Sequence, residues 1–228
     1  MQLRVASFNI HACIGTDGRF DPARIAAVIR EIDADVLALQ EVEHHLLDNE
    51  DLLDYLARTT GYHAVAGPTL MRETRHYGNA LLTRLPVINS QSRDISVPPY
   101  EPRAVIEARL GAGEKTLTVM ATHLGLWPAE RRMQVRQILS LLEQQPTDMT
   151  VLLGDLNEWF LWGRPLRWLH KHFRTSRHIR TFPTNFPLFS LDRIWVTPEN
   201  HLLELHTHRT ELSRKASDHL PIVAEIQL

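Results

Sequence analysis

The spacing of apolar and polar positions predicts strands alternating with helices, then a long strand-rich stretch. Leu3–Ile10 alternates and is rich in β-forming residues, so it reads as a strand. Asp21-Pro22 then opens a helix, with Pro22 at its first position and Ile25, Val28, Ile29 and Ile32 along one stripe. Asp35–Gln40 is a short, nearly unbroken apolar run, the mark of a strand buried on both faces. Asp51–Thr59 reads as a helix and Tyr62–Ala66 as a strand. Four more strands are expected at Asn79–Thr83, Val87–Arg93, Ala104–Leu110 and Thr116–Ala121, with Gly111-Ala112-Gly113 turning between the last two. Pro128–Gln144 is a long helix and Thr150–Leu153 a buried strand. Trp162–Phe173 is helical, and strands close the chain at Arg193–Thr197, Leu202–Thr207 and Pro221–Gln227.

This order suggests a sheet-rich α/β domain, and two packed sheets with helices outside would satisfy it. The 228 residues suit one domain, residues 1–228, better than two. A formal charge of -2 gives no global basic field, so nucleic acid would need a local patch. The one cysteine, Cys13, excludes an internal disulfide and fits a reducing cytoplasm. The opening residues lack the apolar region of a secretion signal, and no stretch is apolar enough to span a membrane. A monomer is expected.

Polar side chains recur where the apolar strands end. Asn9 ends the first, Glu41 follows DVLALQ, His123 follows Thr116–Ala121, and Asp155 and Asn157 follow Thr150–Leu153. Asp192 precedes Arg193–Thr197, and Asp218 and His219 precede the last strand. Ligands tend to bind at such ends in α/β sheets. If the ends converge they make one acidic pocket containing histidines. Oxygen donors without thiolates favour Mg²⁺, for which Mn²⁺ can substitute. Taken singly, each residue has a simpler reading as a turn, cap or surface group.

Seven motifs in sequence tie these residues together: SFNI at Ser7–Ile10, LQEV at Leu39–Val42, YGNALLTR at Tyr77–Arg84, THLG at Thr122–Gly125, GDLNE at Gly154–Glu158, LDRIWV at Leu191–Val196 and SDHLPIVAEI at Ser217–Ile226. Their set resembles the endonuclease/exonuclease/phosphatase family of metal-dependent hydrolases. The resemblance implies a four-layer α/β sandwich with two stacked mixed sheets and the site at one end. It implies a hydrolase that cleaves a phosphate ester, a phosphodiester first among them, using Mg²⁺. It places the metal on Asn9, Glu41 and Asp218. It makes Asp155 the residue acting on the attacking water and Asn157 a phosphate or transition-state contact. His219 would contact the scissile phosphate, oriented by Asp192. His123 would bind phosphate or protonate the leaving group, and Arg103 would face the phosphate.

The substrate is less legible. A nuclease predicts a basic groove, for which Arg72, Arg75 and His76, and then Arg131, Arg132, Arg164, Arg167, His170, Lys171 and Arg174, are candidates. Glu43 stands after LQEV where the abasic-site branch usually has lysine, which weakens that branch. A lipid-headgroup phosphodiesterase or small-molecule phosphatase is the alternative, since Trp159, Phe160, Leu161 and Trp162 follow GDLNE directly. Core burial is the simpler reading of that run. A non-catalytic binding module is the alternative from another class, although every expected catalytic position is filled.

Overall fold

The computed structural model describes residues 1–43, 46–47, 50–71, 76–144, 148–174 and 177–228. In chain order, the first half comprises β1 (Gln2–Asn9), a short 3-10 turn (His11–Cys13), α1 (Pro22–Ile32), β2 (Val36–Glu43), β3 (Leu46–Leu47), β4 (Glu50–Asp51), α2 (Leu52–Thr60), β5 (His63–Met71), β6 (His76–Thr83) and β7 (Val87–Asp94). The second comprises β8 (Ala104–Ala112), β9 (Lys115–His123), α3 (Pro128–Gln144), β10 (Met149–Asp155), α4 (Arg164–Phe173), β11 (Asp192–Thr197), β12 (Leu202–Thr207), α5 (Glu211–Ala216) and β13 (Ile222–Gln227).

Two mixed sheets stack face to face. One has the order β12-β13-β1-β2-β6-β5 and the other β11-β10-β9-β8-β7. Each contains one parallel pair, β1–β2 and β9–β10; the other neighbours run antiparallel. Parallel neighbours need a crossover, supplied by α1 in the first case and α3 in the second. Between the sheets lie Val5, Val36, Leu81, Val119, Val151 and Val196. Alternate residues of the same strands, such as Phe8 and Leu37, pack outward with Ile25, Ile29 and Leu56 of α1 and α2. On the far side, Met120, Leu152 and Trp195 meet Val135, Leu166 and Leu169 of α3 and α4. Strands buried on both faces therefore read as continuous apolar runs. This is the four-layer sandwich expected above.

Local chemistry explains the helix limits. The Asp21 carboxylate accepts from the Arg24 amide at 2.9 Å, capping α1 behind Pro22. Asp33 ends that helix in the left-handed region. Two local expectations shift and one element is new. The β8–β9 hairpin turns at Gly113-Glu114, with Gly113 at φ +67°, because both strands run on past Leu110. The fourth helix starts at Arg164, not Trp162, where Pro165 fits its first turn. The helix α5, unforeseen, is fixed by a reciprocal capping box between Thr210 and Ser213. Among the described residues no helix is long and apolar enough to cross a membrane.

Phe8 is fully buried between sheet and helices. Phe8→Ala should therefore lower unfolding free energy by about 3–5 kcal/mol, measured by urea denaturation. Val87→Ala, on the exposed face of β7, should cost only roughly 0.5 kcal/mol.

Candidate active site

The topology brings the polar strand ends together. The C-terminal ends of both parallel pairs point the same way, so Asn9 pairs across to Gln40 in one sheet and Asp155 to His123 in the other. The antiparallel neighbour β11 starts where β10 ends, setting Asp192 opposite Asp155. β13 leaves the same edge just after His219.

Glu41 reaches the site through a backbone irregularity. The β2–β6 pairing jumps from Leu39–Ala80 to Val42–Gly78, so Gln40 and Glu41 form a bulge. Glu41 sits at φ +58°, costly for a non-glycine residue and a mark of functional strain. Gln40 meanwhile turns inward, its Oε1 accepting from the Ser7 hydroxyl at 3.1 Å. At β10, a Cβ on Gly154 would lie 1.8 Å from the Thr122 carbonyl oxygen. Only glycine lets the two parallel strands stay this close just before Asp155.

Asn9 joins the sheets. Its amide nitrogen donates to Glu41 Oε1 at 3.0 Å and to Asp155 Oδ2 at 3.1 Å. Its amide oxygen accepts from the His11 backbone at 3.0 Å, and its backbone carbonyl accepts from the Ser217 hydroxyl at 2.7 Å. One amide thus answers two carboxylates. Burial, opposed by the Asn9 hydrogen bond, raises the Glu41 pKa, and the nearby Asp155 charge raises it further. This electron-rich, oxygen-donor corner suits a hard divalent cation.

His219 and His123 are held in opposite charge states. His219 Nδ1 lies 2.8 Å from Asp192 Oδ2, and its Nε2 is 3.8 Å from Asp155 Oδ2. Asp192 is fully buried and also accepts from the Thr181 hydroxyl at 2.5 Å. Burial alone would lower the His219 pKa; the charges of Asp192 and Asp155 overcome it and push it up to about 10. His123 is buried, and burial plus the Arg103 charge pushes its pKa down to about 3. Both its ring nitrogens face N–H donors, Arg103 Nη1 at 3.3 Å and Asn157 Nδ2 at 3.0 Å. A neutral ring can accept from one of them, an imidazolium from neither. Asn157, at φ +51°, spans from Asp155 Oδ1, which its backbone amide meets at 2.9 Å, to the Leu124 carbonyl. The structure thus gathers Asn9, Glu41, His123, Asp155, Asn157, Asp192 and His219, with Arg103 behind His123.

Asp218 lies at the rim, half-exposed, and meets His11 Nδ1 at 3.2 Å. Burial opposes ionisation there, but the His11 hydrogen bond and charge win, and the Asp218 pKa falls. Three contributors escaped the sequence reading. His11 and Thr181 make the contacts above, and no spacing marks either. Tyr77, named above only as the start of a motif, feels the Glu41 and Arg103 charges, and burial raises its phenol pKa. Asp155, Asp192 and His219 also place one possible ligand atom each within 4.8 Å of one another. With Nδ1 of His219 committed to Asp192 at 2.8 Å and its Nε2 at 3.8 Å from Asp155 Oδ2, the trio is already held by one hydrogen bond and one longer ion pair.

The model of the Endonuclease/Exonuclease/phosphatase family matches residues 6–219, from the first strand to His219. The chain belongs to that family. Members are hydrolases acting on phosphate esters. Over 248 aligned residues this family member is 34% identical to the uncharacterized protein YbhP of Escherichia coli K12, covering 99% of this chain and 96% of that one. It superimposes on an endonuclease/exonuclease/phosphatase from Beutenbergia cavernae with TM-score 0.80 at 24% identity, over 100% of this chain and 72% of that one. It also superimposes on the Bacteroides thetaiotaomicron mannosyl-6-phosphatase Bt3783 with TM-score 0.78 at 17% identity, covering 99% and 100%. A third neighbour is Danio rerio TDP2 solved with a single-strand DNA product, with TM-score 0.73 at 17% identity, covering 100% and 99%. At these identities the three structures speak for the shared fold.

The Asp192–His219 pair carries a pH signature. A folded-state pKa raised from 6.5 to about 10 contributes stability that is complete below pH 6.5 and lost as pH rises through about 10. In metal-free protein, the His219 ring should stay protonated through neutral pH in an NMR titration. Asp192→Asn should bring its midpoint down markedly and flatten the alkaline fall in stability.

Proposed function

We propose that the chain, as a single catalytic domain over residues 1–228, is a Mg²⁺-dependent hydrolase of phosphate esters, with phosphodiesters as preferred substrates. One observation carries this reading: the Asp155 carboxylate faces the Nε2 edge of His219 at 3.8 Å while Asn9 ties it to Glu41.

The roles follow from charge and position. Asp155 is the base for the attacking water, its Oδ1 fixed by the Asn157 amide and its Oδ2 by Asn9. His219, held by Asp192, directs a charged N–H at the oxygens of the phosphoryl group, where negative charge grows in the transition state. Asn157 and Arg103 add donors around neutral His123, which serves as a phosphate contact and not as a proton donor, because its ring holds no extra proton at neutral pH. Glu41 is the principal residue to hold Mg²⁺, with Asp218 and Asn9 beside it; for Asn9 the amide oxygen would have to exchange its His11 contact for the ion. Bound there, the ion would supply Lewis-acid polarisation of a phosphoryl oxygen. The oxygen of water bonds to phosphorus, the ester P–O bond breaks, and the proton taken by Asp155 passes to the leaving oxygen or to solvent. Mn²⁺ should substitute for Mg²⁺, since the donors are hard oxygens. We place the chain in the cytoplasm as a monomer; its one thiol, Cys13, is free and buried, which accords with a reducing compartment.

Turnover of bis-p-nitrophenyl phosphate with Mg²⁺ is the direct assay. Glu41→Ala and His219→Ala should each lower kcat about a thousandfold while keeping the wild-type circular dichroism spectrum. A chelator should silence the wild type. Wild-type turnover by either variant would show the assignment to be wrong.

A further inference from the structure

The mouth of the site is rimmed with apolar side chains that the catalytic roles do not use. After β9, Leu126 and Trp127 project into solvent; after β10, Phe160, Leu161 and Trp162 do so; before β11, Phe186 and Leu188 follow. Trp162 is 72% exposed and Phe186 71%, the opposite of the core burial that is the simpler reading of the aromatic run.

These loops form a built rim. Trp159 packs edge-on against Phe182 and Phe189, with ring centroids 5.7 and 4.9 Å away, which clamps the second loop to the third. Phe182 lies 4.8 Å from the His219 ring. Arg131, expected in a basic groove, is instead buried. It meets Glu158 at 3.3 Å and donates to the Leu126 carbonyl at 2.6 Å, which fastens the first loop to the second. Below Trp127 a 190 Å³ pocket lined by Tyr100, Glu101, Arg103 and Glu130 opens beside His123.

A large exposed apolar patch around a polar pocket marks an interaction surface. We propose that this rim docks on an anionic phospholipid bilayer and presents a lipid phosphodiester headgroup to the catalytic pocket. Tryptophan and phenylalanine flanked by cations suit the bilayer interface. The cations are present: Arg164 follows Trp162 across Gly163, Arg167 lies one turn on, and Arg180 precedes the third loop. All three are exposed and carry no ion pair among the described residues. That places positive charge at the rim of a chain whose net charge is -2, which complements an anionic surface. Single-stranded nucleic acid would also use aromatics and arginines. The leucines at positions 126, 161 and 188 offer a base no stacking face, yet they suit acyl chains. Of the other groove candidates, Arg72 and Arg75 and the side chain of His76 lie outside the described residues.

The docking stands independently of catalysis; headgroup hydrolysis rests on the phosphoesterase reading above. Flotation with vesicles of phosphatidylcholine and phosphatidylglycerol tests the first. The full chain should float with them and remain in solution with pure phosphatidylcholine. The double variant Trp162→Ser/Phe186→Ser should bind about tenfold more weakly or worse, with bis-p-nitrophenyl phosphate turnover unchanged. Its release of headgroup phosphate from the same vesicles should fall in step with binding. No wild-type flotation, or equal flotation by the variant, would overturn the docking while leaving soluble-diester turnover to judge the catalytic reading. Loss of a single-stranded DNA mobility shift in the variant, without a vesicle effect, would assign the rim to nucleic acid. A dimer dispersed by the variant, again without a vesicle effect, would assign it to a second copy.

Discussion

Glu41, Asp155 and Asp192 crowd their carboxylates into one end of a dry sandwich, and the site is arranged around the cost of that. Taking carboxylates out of water is expensive unless donors replace it. Each here has a named donor: the Asn9 amide for Glu41 and Asp155, the His219 ring and the Thr181 hydroxyl for Asp192. The charges of Asp192 and Asp155 draw a proton onto His219, while burial, with the Asp155 charge added, leaves Glu41 harder to ionise. Both are the responses of a buried acidic pocket. Burial, with the Arg103 charge added, keeps His123 neutral on the other side, so two histidines a few ångströms from the same aspartate are held in different charge states.

The scaffold accepts local strain to make this convergence. The Glu41 bulge, the glycine at position 154 and the left-handed Asn157 all fall at or next to strand ends, where pairing can be interrupted without losing the core behind it. The parallel pairs make the arrangement possible, because a crossover helix returns the chain so that successive strands end on the same side. Antiparallel pairing alone would have sent alternate ends to opposite poles. The loops that leave this edge carry the exposed aromatics, so the pocket and those side chains share one face of the molecule.

The sequence by itself determined the layers and most elements. Runs such as DVLALQ are buried on both faces, and α3 begins where the sequence places it, at Pro128. Ordered motifs also marked the polar strand ends that the fold gathers. What sequence could not carry is direction and neighbourhood. Asn9 has the composition of a metal ligand, but only the stacking of the sheets shows its amide nitrogen spanning two carboxylates. Arg131 looks like a surface cation on a helix, and only packing against Glu158 buries it. The Trp159–Trp162 run looks like core, and only the completed layers show that the core is already filled without it. Spacing along a chain reports period and chemistry, whereas charge state, burial and partners are set by atoms far away in sequence, and those exist only once the two sheets have closed.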